Sequence, residues 1–364
     1  MPGRRRTGPE AGPAVGEPRP DDRRLLDRFG RVATDLRVSL TDRCNLRCSY
    51  CMPEEGLDWI ADERLLTDDE IVRLITLAVE HLGVEEVRFT GGEPLLRKGL
   101  ERIVGATTAL RTHAGAVPQT ALTTNGLGLD RRAAGLARAG LHRINVSLDS
   151  LDRARFARIT KRDRLPDVLA GLAAAATAGL TPVKVNTVLL RGVNDDEAVP
   201  LLTWALEHGY ELRFIEQMPL DPQGAWDRDA MVTAEEILGS LRSRYRLAPS
   251  APGSRGAAPA ETWVVEDPPA AADGAGRPRV GIVASVTRPF CGDCDRTRLT
   301  ADGQVRNCLF ARGETDLRAL LRGGASDEEV AATWRGDMWA KEAGHGIDDP
   351  GFLQPSRPMS AIGG

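Results

Sequence analysis

Six residues carry the clearest chemistry in this sequence. Cys44, Cys48 and Cys51 form a C-x3-C-x2-C run, and Cys291, Cys294 and Cys308 form a C-x2-C-x13-C group; the 364-residue chain has no other cysteine. Three closely spaced thiolates can hold three irons of a cubane iron–sulfur cluster, and the fourth iron, left without a cysteine, is then a position for chemistry rather than for structure. A structural zinc site needs a fourth ligand to close its tetrahedron, and neither group contains a fourth cysteine. For the second group, zinc or a redox role stays open, with His345 as the nearest downstream candidate for a Cys3His set. Between Cys294 and Cys308 lies the dibasic Arg296-Thr297-Arg298, which suits an anionic ligand because arginine meets phosphate oxygens in bidentate geometry.

The elements that position these groups alternate regularly. Strands are expected at 34–40, 84–90, 119–124, 142–148, 181–189 and 211–216. Helices are expected at 67–81, 96–111, 130–139, 166–178 and 195–208, with Thr67/Glu70 as a capping box. Strand then helix, repeated six times, implies a parallel sheet with right-handed crossovers, and because eight units make a full barrel this is an open, partial (β/α)6 barrel. Ligands in such sheets bind beyond the carboxyl ends of the strands. That places Gly91-Gly92-Glu93-Pro94, Thr123, Ser147, Lys184 and Met218 on one rim with the first cysteine run. After a helix at 233–245, the stretch 249–279 reads as a flexible Ala/Pro/Gly excursion with a short strand at 261–266. A strand at 280–286 and a helix at 325–345 complete an α+β C-terminal domain. The expected division is 1–24 as a disordered extension, 25–240 as the barrel and 241–364 as the C-terminal domain, with deletion of 2–24 leaving activity near normal.

Composition narrows the function classes. A net charge of −4 argues against a general nucleic-acid or membrane binder. The 44 arginines against 4 lysines make any single arginine weak evidence unless its position promotes it. No apolar run approaches the ~20 residues that span a bilayer. The basic start Met1–Thr7 leads into no apolar region, so a reducing, cytoplasmic setting is expected and the cysteines read as ligands rather than disulfides.

The C-x3-C-x2-C run with Tyr50 before its last cysteine resembles the signature of radical S-adenosylmethionine enzymes. Residues 35–53, 88–97, 290–300 and 359–364 together resemble the GTP 3',8-cyclase family of molybdenum cofactor biosynthesis. The resemblance implies two 4Fe-4S clusters with S-adenosyl-L-methionine as cosubstrate. The N-terminal cluster would yield a 5'-deoxyadenosyl radical that takes the ribose 3' hydrogen of GTP, and C3' would then close on guanine C8 to give 3',8-cyclo-7,8-dihydroguanosine 5'-triphosphate. The C-terminal cluster would bind the guanine. Carried over residue by residue, the cosubstrate contacts are Tyr50, Gly92, Glu93, Ser147 and Met218. The GTP contacts are Arg37, Arg88, Thr123, Lys184, Arg296, Thr297 and Arg298. The tail Gly363-Gly364 would insert toward the site, where it and the dibasic arginines are required for catalysis. Glycine allows close backbone approach, and Glu93 could pair with the methionine ammonium. Implied partners are an electron donor such as flavodoxin or ferredoxin, a second copy in a homodimer, and the downstream cyclic pyranopterin monophosphate synthase. The alternatives are a peptide-modifying radical enzyme with auxiliary clusters, whose auxiliary region carries more cysteines than the three here, and a zinc-bound interaction protein.

Overall fold

The computed structural model describes residues 18–251, 253–269 and 277–363. The expectations for 1–17, for 252 and 270–276 of the Ala/Pro/Gly stretch, and for Gly364 lie outside the described residues. Described order is tied in at Leu25, which is fully buried, donates its N–H to the Leu82 carbonyl and accepts from the Ala33 N–H.

The alternating pattern resolves into β1 (Asp35–Ser39), α1 (Asp68–His81), β2 (Glu86–Thr90), α2 (Leu100–Ala109), β3 (Gln119–Thr124), α3 (Leu129–Arg138), β4 (Arg143–Ser147), α4 (Arg153–Thr160), α5 (Leu165–Thr177), β5 (Val183–Val188), α6 (Ala198–Glu207) and β6 (Glu211–Ile215). The C-terminal part adds α7 (Ala234–Arg242), β7 (Leu247–Pro249), β8 (Glu261–Val265), β9 (Arg279–Val283), β10 (Arg296–Leu299), β11 (Gln304–Arg306), β12 (Thr315–Asp316), α8 (Leu317–Arg322), α9 (Asp327–Trp339) and α10 (Met359–Ile362). Capping boxes open α1, α7 and α9: Thr67/Glu70, Thr233/Glu236 and Ser326/Glu329. Along α1, Ile71, Leu74, Ile75 and Ala78 fall on one face at helical spacing and are buried there.

All strands join one open sheet in the order β12-β11-β10-β1-β2-β3-β4-β5-β6-β9-β8-β7. The six consecutive parallel strands are as expected. Two more parallel strands flank them, β10 beside β1 and β9 beside β6. The strand expected at 280–286 is β9, but sequence periodicity does not place it in the parallel set and misses β10, because neither belongs to a strand–helix repeat: β10 turns straight into the antiparallel β11, and β9 is reached antiparallel from β8. The C-terminal part therefore extends the sheet at both edges.

A period of two decides what each strand residue does. Leu36, Val38, Val87, Phe89, Ile144, Val146, Leu212 and Phe214 are buried in the core on one face of the sheet. Their alternates, including Arg37, Arg88, Asn145 and Arg213, line a cavity on the other. Helix α4 has little apolar periodicity and was not expected; its last carbonyls, Ile159 and Thr160, accept N–H groups of Ser49 and Arg47 in the first cysteine loop.

Candidate active site

The first cysteine loop is held by backbone on two sides. Leu40 N donates to Thr90 O, Gly92 N to Thr41 O at 2.7 Å and Glu93 N to Arg43 O at 2.7 Å. A Cβ at Gly92 would stand 2.4 Å from the Asp42 and Arg43 carbonyls, so this approach requires glycine. Asn125 Nδ2 lies 3.8 Å from Cys44 Sγ and donates to Asn45 Oδ1 at 2.7 Å. Burial pushes the Cys44 thiol up to about 11 and the Cys51 thiol up to about 12, and it raises the Cys48 thiol as well. Such thiols become ligands only where a cation takes the place of the proton, which is the behaviour of a metal-binding set. Tyr50 donates its hydroxyl to Asp149 Oδ2 at 2.8 Å, and the buried Asp149 also accepts Val188 N.

Glu93 is placed differently from the sequence expectation. It is fully buried and accepts from Thr124 Oγ1 at 2.6 Å, Asn125 N at 2.7 Å and Leu95 N at 2.9 Å. Burial pushes its carboxyl up to about 7 while these donors pull it back. With its oxygens engaged and no exposure it braces the loops after β2 and β3, and the free carboxylate expected for an ammonium is not what the geometry provides.

In the second group Cys291 and Cys294 precede β10 and Cys308 follows β11. Cys294 N donates to Cys291 O at 3.1 Å, and Arg31 Nη1 donates to Cys291 O at 2.6 Å. Burial alone would raise the Cys294 thiol, but Lys341 and Arg296 beside it outweigh that and hold it below its ordinary value. Lys341 Nζ lies 3.4 Å and Arg296 Nη1 3.7 Å from its Sγ. His345 is not available as a fourth zinc ligand. Its Nδ1 accepts from Ile347 N at 3.1 Å and its Nε2 faces the Ser285 carbonyl at 3.1 Å, a pairing that places the proton on Nε2 and leaves no free lone pair. Among the described residues no three His, Cys, Asp or Glu side chains gather closely enough to hold a single metal ion. Three cysteines in each group supply the soft donors that an iron–sulfur cluster takes.

Both groups open on one cavity of about 550 Å³, lined by Tyr50, Cys51, Ser147 and Met218 and by Cys291, Cys294 and Cys308. Cys44 and Cys48 pack against the hydrophobic core. The cavity floor carries Arg37, Arg88, Arg143, Lys184, Arg213 and Arg298. Register aligns Arg298 with Arg37 and Arg37 with Arg88 across three neighbouring strands. Burial pushes Arg298 and Arg213 down to about 10 each, with Arg296 and Arg88 respectively adding to the effect. So dense a set of desolvated cations favours a polyanion. Thr123 lines the same cavity.

Thr297 does not face it. Between the inward Arg296 and Arg298 the strand turns it outward, where it is fully buried and its Oγ1 accepts the Trp334 indole N–H at 3.0 Å. The expected substrate contact is corrected to a structural one. Thr297→Val should lower stability by the ~1–3 kcal/mol of an orphaned buried donor and leave KM for the cavity's ligand unchanged; a raised KM without destabilisation would reverse this assignment.

Sequence reading also missed Arg143 and Arg213. Arg213 was discoverable: Glu211-x-Arg213 on β6 repeats Asp35-x-Arg37 on β1 and Glu86-x-Arg88 on β2, an acid and an arginine on the same strand face. Glu216, at 1% exposure, accepts from Ala234 N, Val286 N, Thr287 N and Thr287 Oγ1 and so fixes the end of β6 to the loop leading to Cys291. The stretch read as a flexible excursion contributes Ala257, Ala258 and Pro259 to the cavity wall, and Arg296 donates to the Ala257 carbonyl.

The tail reaches the same place. Gly363 has φ +84°, its carbonyl accepts from Arg298 Nη1, and Ser39 Oγ donates to Ile362 O at 2.9 Å. The Ser360 backbone lies beside the Cys51 thiol and partly offsets the rise that burial imposes on it.

Comparison with known proteins agrees with this geometry. Residues 38–205 match the radical SAM superfamily, and 210–347 match the Molybdenum Cofactor Synthesis C family. A GTP 3',8-cyclase of Streptomyces coelicolor is 65% identical over 93% of this chain and 96% of its own. One from Mycolicibacterium smegmatis is 60% identical over 97% and 95%. Among solved structures, coproporphyrinogen III oxidase of Escherichia coli, described as a radical SAM enzyme, aligns over 61% of this chain and 52% of its own at 15% identity and a TM-score of 0.43, too low to add to the argument. Relatives of this identity and coverage, together with a cationic cavity lined by Cys51 and by the whole second cysteine group, establish that the chain belongs to the GTP 3',8-cyclase family, radical S-adenosylmethionine enzymes of molybdenum cofactor biosynthesis that use two 4Fe-4S clusters.

Proposed function

We propose that the cavity between the two cysteine groups is where GTP is bound and cyclised, with Cys44, Cys48 and Cys51 holding one cluster and Cys291, Cys294 and Cys308 the other. The observation that carries this reading is that Cys51 and the second triad line one cavity whose floor between them is cationic. A cluster held by Cys44, Cys48 and Cys51 would supply one-electron reduction of a bound S-adenosylmethionine, the chemistry needed to reach an unactivated C–H.

The chain's own residues do the positioning. Arg37, Arg88, Arg143, Lys184 and Arg213 take the triphosphate, while Thr123 and Asn145 offer polar contacts beside them. Several of these cations are paired in the protein, Arg88 with Glu86 at 2.6 Å and Lys184 with Glu211 at 3.0 Å, so phosphate binding exchanges one anion for another without exposing a buried charge. Arg296 and Arg298 lie beside the second triad, where the guanine is placed by this reading. Tyr50, Ser147 and Met218 line the cosubstrate side; Gly92 serves it through backbone fit and Glu93 by bracing. Arg298 and the Gly363 carbonyl close the cavity, and a closed, dry site protects a radical from solvent. Arg213→Ala should raise KM for GTP roughly 10- to 100-fold, the worth of a hydrogen bond to a charged group. An unchanged KM would remove Arg213 from the triphosphate site.

The division into a barrel at 25–240 and an auxiliary-cluster part at 241–364 belongs to the same proposal, as do a flavodoxin- or ferredoxin-type electron donor, a homodimer, and a downstream cyclic pyranopterin monophosphate synthase that rearranges the product. No helix among the described residues is long and apolar enough to cross a membrane.

A further inference from the structure

Lys341 is one of the chain's four lysines, lies just past the end of α9, and is only 3% exposed. Its Nζ is 3.0 Å from the Arg296 carbonyl, 3.3 Å from the Cys294 carbonyl and 3.4 Å from Cys294 Sγ. These are all of its hydrogen-bond partners among the described residues, and none is a carboxylate. Asp337, a turn earlier on α9, is close enough to feel the Lys341 charge but makes no hydrogen bond to it; its Oδ1 accepts from Thr315 Oγ1 at 3.0 Å. A buried ammonium is costly unless an anion answers it. Here the group in reach is a sulfur that becomes anionic when Cys294 serves as a metal ligand. In a chain with 44 arginines, a lysine at this point gives a compact charge aimed at one atom, where a guanidinium would spread its donors over a plane.

The two triads differ in this respect. The cation nearest Cys44, Arg47, spends Nη1 on the Cys44 and Leu46 carbonyls at 2.7 and 2.8 Å, and the donor reaching Cys44 Sγ is the neutral Asn125 at 3.8 Å. A positive charge held in a low-dielectric site beside a cluster ligand favours the more negative, reduced form, whereas a neutral donor does so weakly.

We propose that Lys341 is a positioning residue for the second cluster that raises its reduction potential relative to the first, by holding a fixed charge on Cys294. The inference rests on the two-cluster reading above.

The test is a dithionite redox titration of the reconstituted holoenzyme followed by electron paramagnetic resonance, with the second cluster identified as the one whose signal changes on adding GTP. Iron is counted in the same samples. Lys341→Met keeps the length of the side chain and removes the charge, Lys341→Gln keeps hydrogen bonding, and Lys341→Arg keeps the charge. The expected result is a full iron complement in all of them. The second cluster's reduction equilibrium should fall about tenfold in the Met and Gln variants, or about 59 mV for one electron, with the first cluster unmoved and the Arg variant near wild type. A second cluster that titrates as in wild type, an equal shift of both clusters, or loss of the second cluster's iron in both neutral variants would each overturn the proposal, the last by making Lys341 an assembly anchor. If wild-type protein holds only about four irons, the two-cluster reading itself has failed, and that outcome is distinct from the others.

Discussion

Arg298→Ala should lower kcat/KM for GTP by at least roughly 150-fold, the equivalent of about 3 kcal/mol for removing one partner from a buried charged contact. Arg298 is 5% exposed, shares a register line with Arg37 and Arg88, and donates to the Gly363 carbonyl. It therefore acts twice, as a cation of the cavity and as the anchor of the tail. Steady-state kinetics beside the visible absorbance of the clusters would separate these roles from a folding defect: the absorbance should be unchanged. A loss smaller than about threefold would show that the aligned arginines are structural pairs of the barrel rather than ligands.

The second large effect is expected at the tail. A Cβ at Gly363 would lie 2.3 Å from Ser39 Oγ and 2.8 Å from Thr90 Cγ2, and its φ of +84° strains any L side chain. Gly363→Val cannot keep the tail seated and should cut turnover about 100-fold, the loss typical of displaced active-site groups. Iron content should stay the same. A C-terminal tag should act in the same direction. Because Arg298 and Gly363 share one hydrogen bond, the double variant Arg298→Ala/Gly363→Val should lose less than the sum of the two single losses. Additive losses, or normal cyclisation by a tagged chain, would show that the two act independently of each other or of the reaction.

The parts of this protein that were legible in the sequence are those with a local cause. Strand and helix periods, the capping boxes at Thr67 and Thr233 and the glycines closing helices locate the six β/α units to within a few residues. The cysteine spacings identify the ligands because no other residue type offers three soft donors in so short a run. What escaped had a non-local cause. Strands β10, β11 and β12 are too short to show a period, and their identity comes from pairing with β1 and with one another. Arg143 and Arg213 were hidden by the abundance of arginine, and only the shared face of adjacent strands distinguishes them. Thr297 was misassigned because three consecutive residues of a motif were treated as one unit, while a strand sends the middle one to the opposite face. Glu93 was assigned by its motif, and only the fold brings Thr124, Asn125 and Leu95 to occupy it.

The central claim is that two clusters face one GTP-binding cavity, and anaerobic reconstitution with iron and sulfide tests it most directly. Iron and zinc would be counted per chain, and 5'-deoxyadenosine and the cyclised nucleotide measured with and without GTP. The account predicts about eight irons, no zinc, 5'-deoxyadenosine formed only when GTP is present, and 3',8-cyclo-7,8-dihydroguanosine 5'-triphosphate as the product. About four irons with zinc in the remainder, or 5'-deoxyadenosine formed to the same extent without GTP, would contradict it.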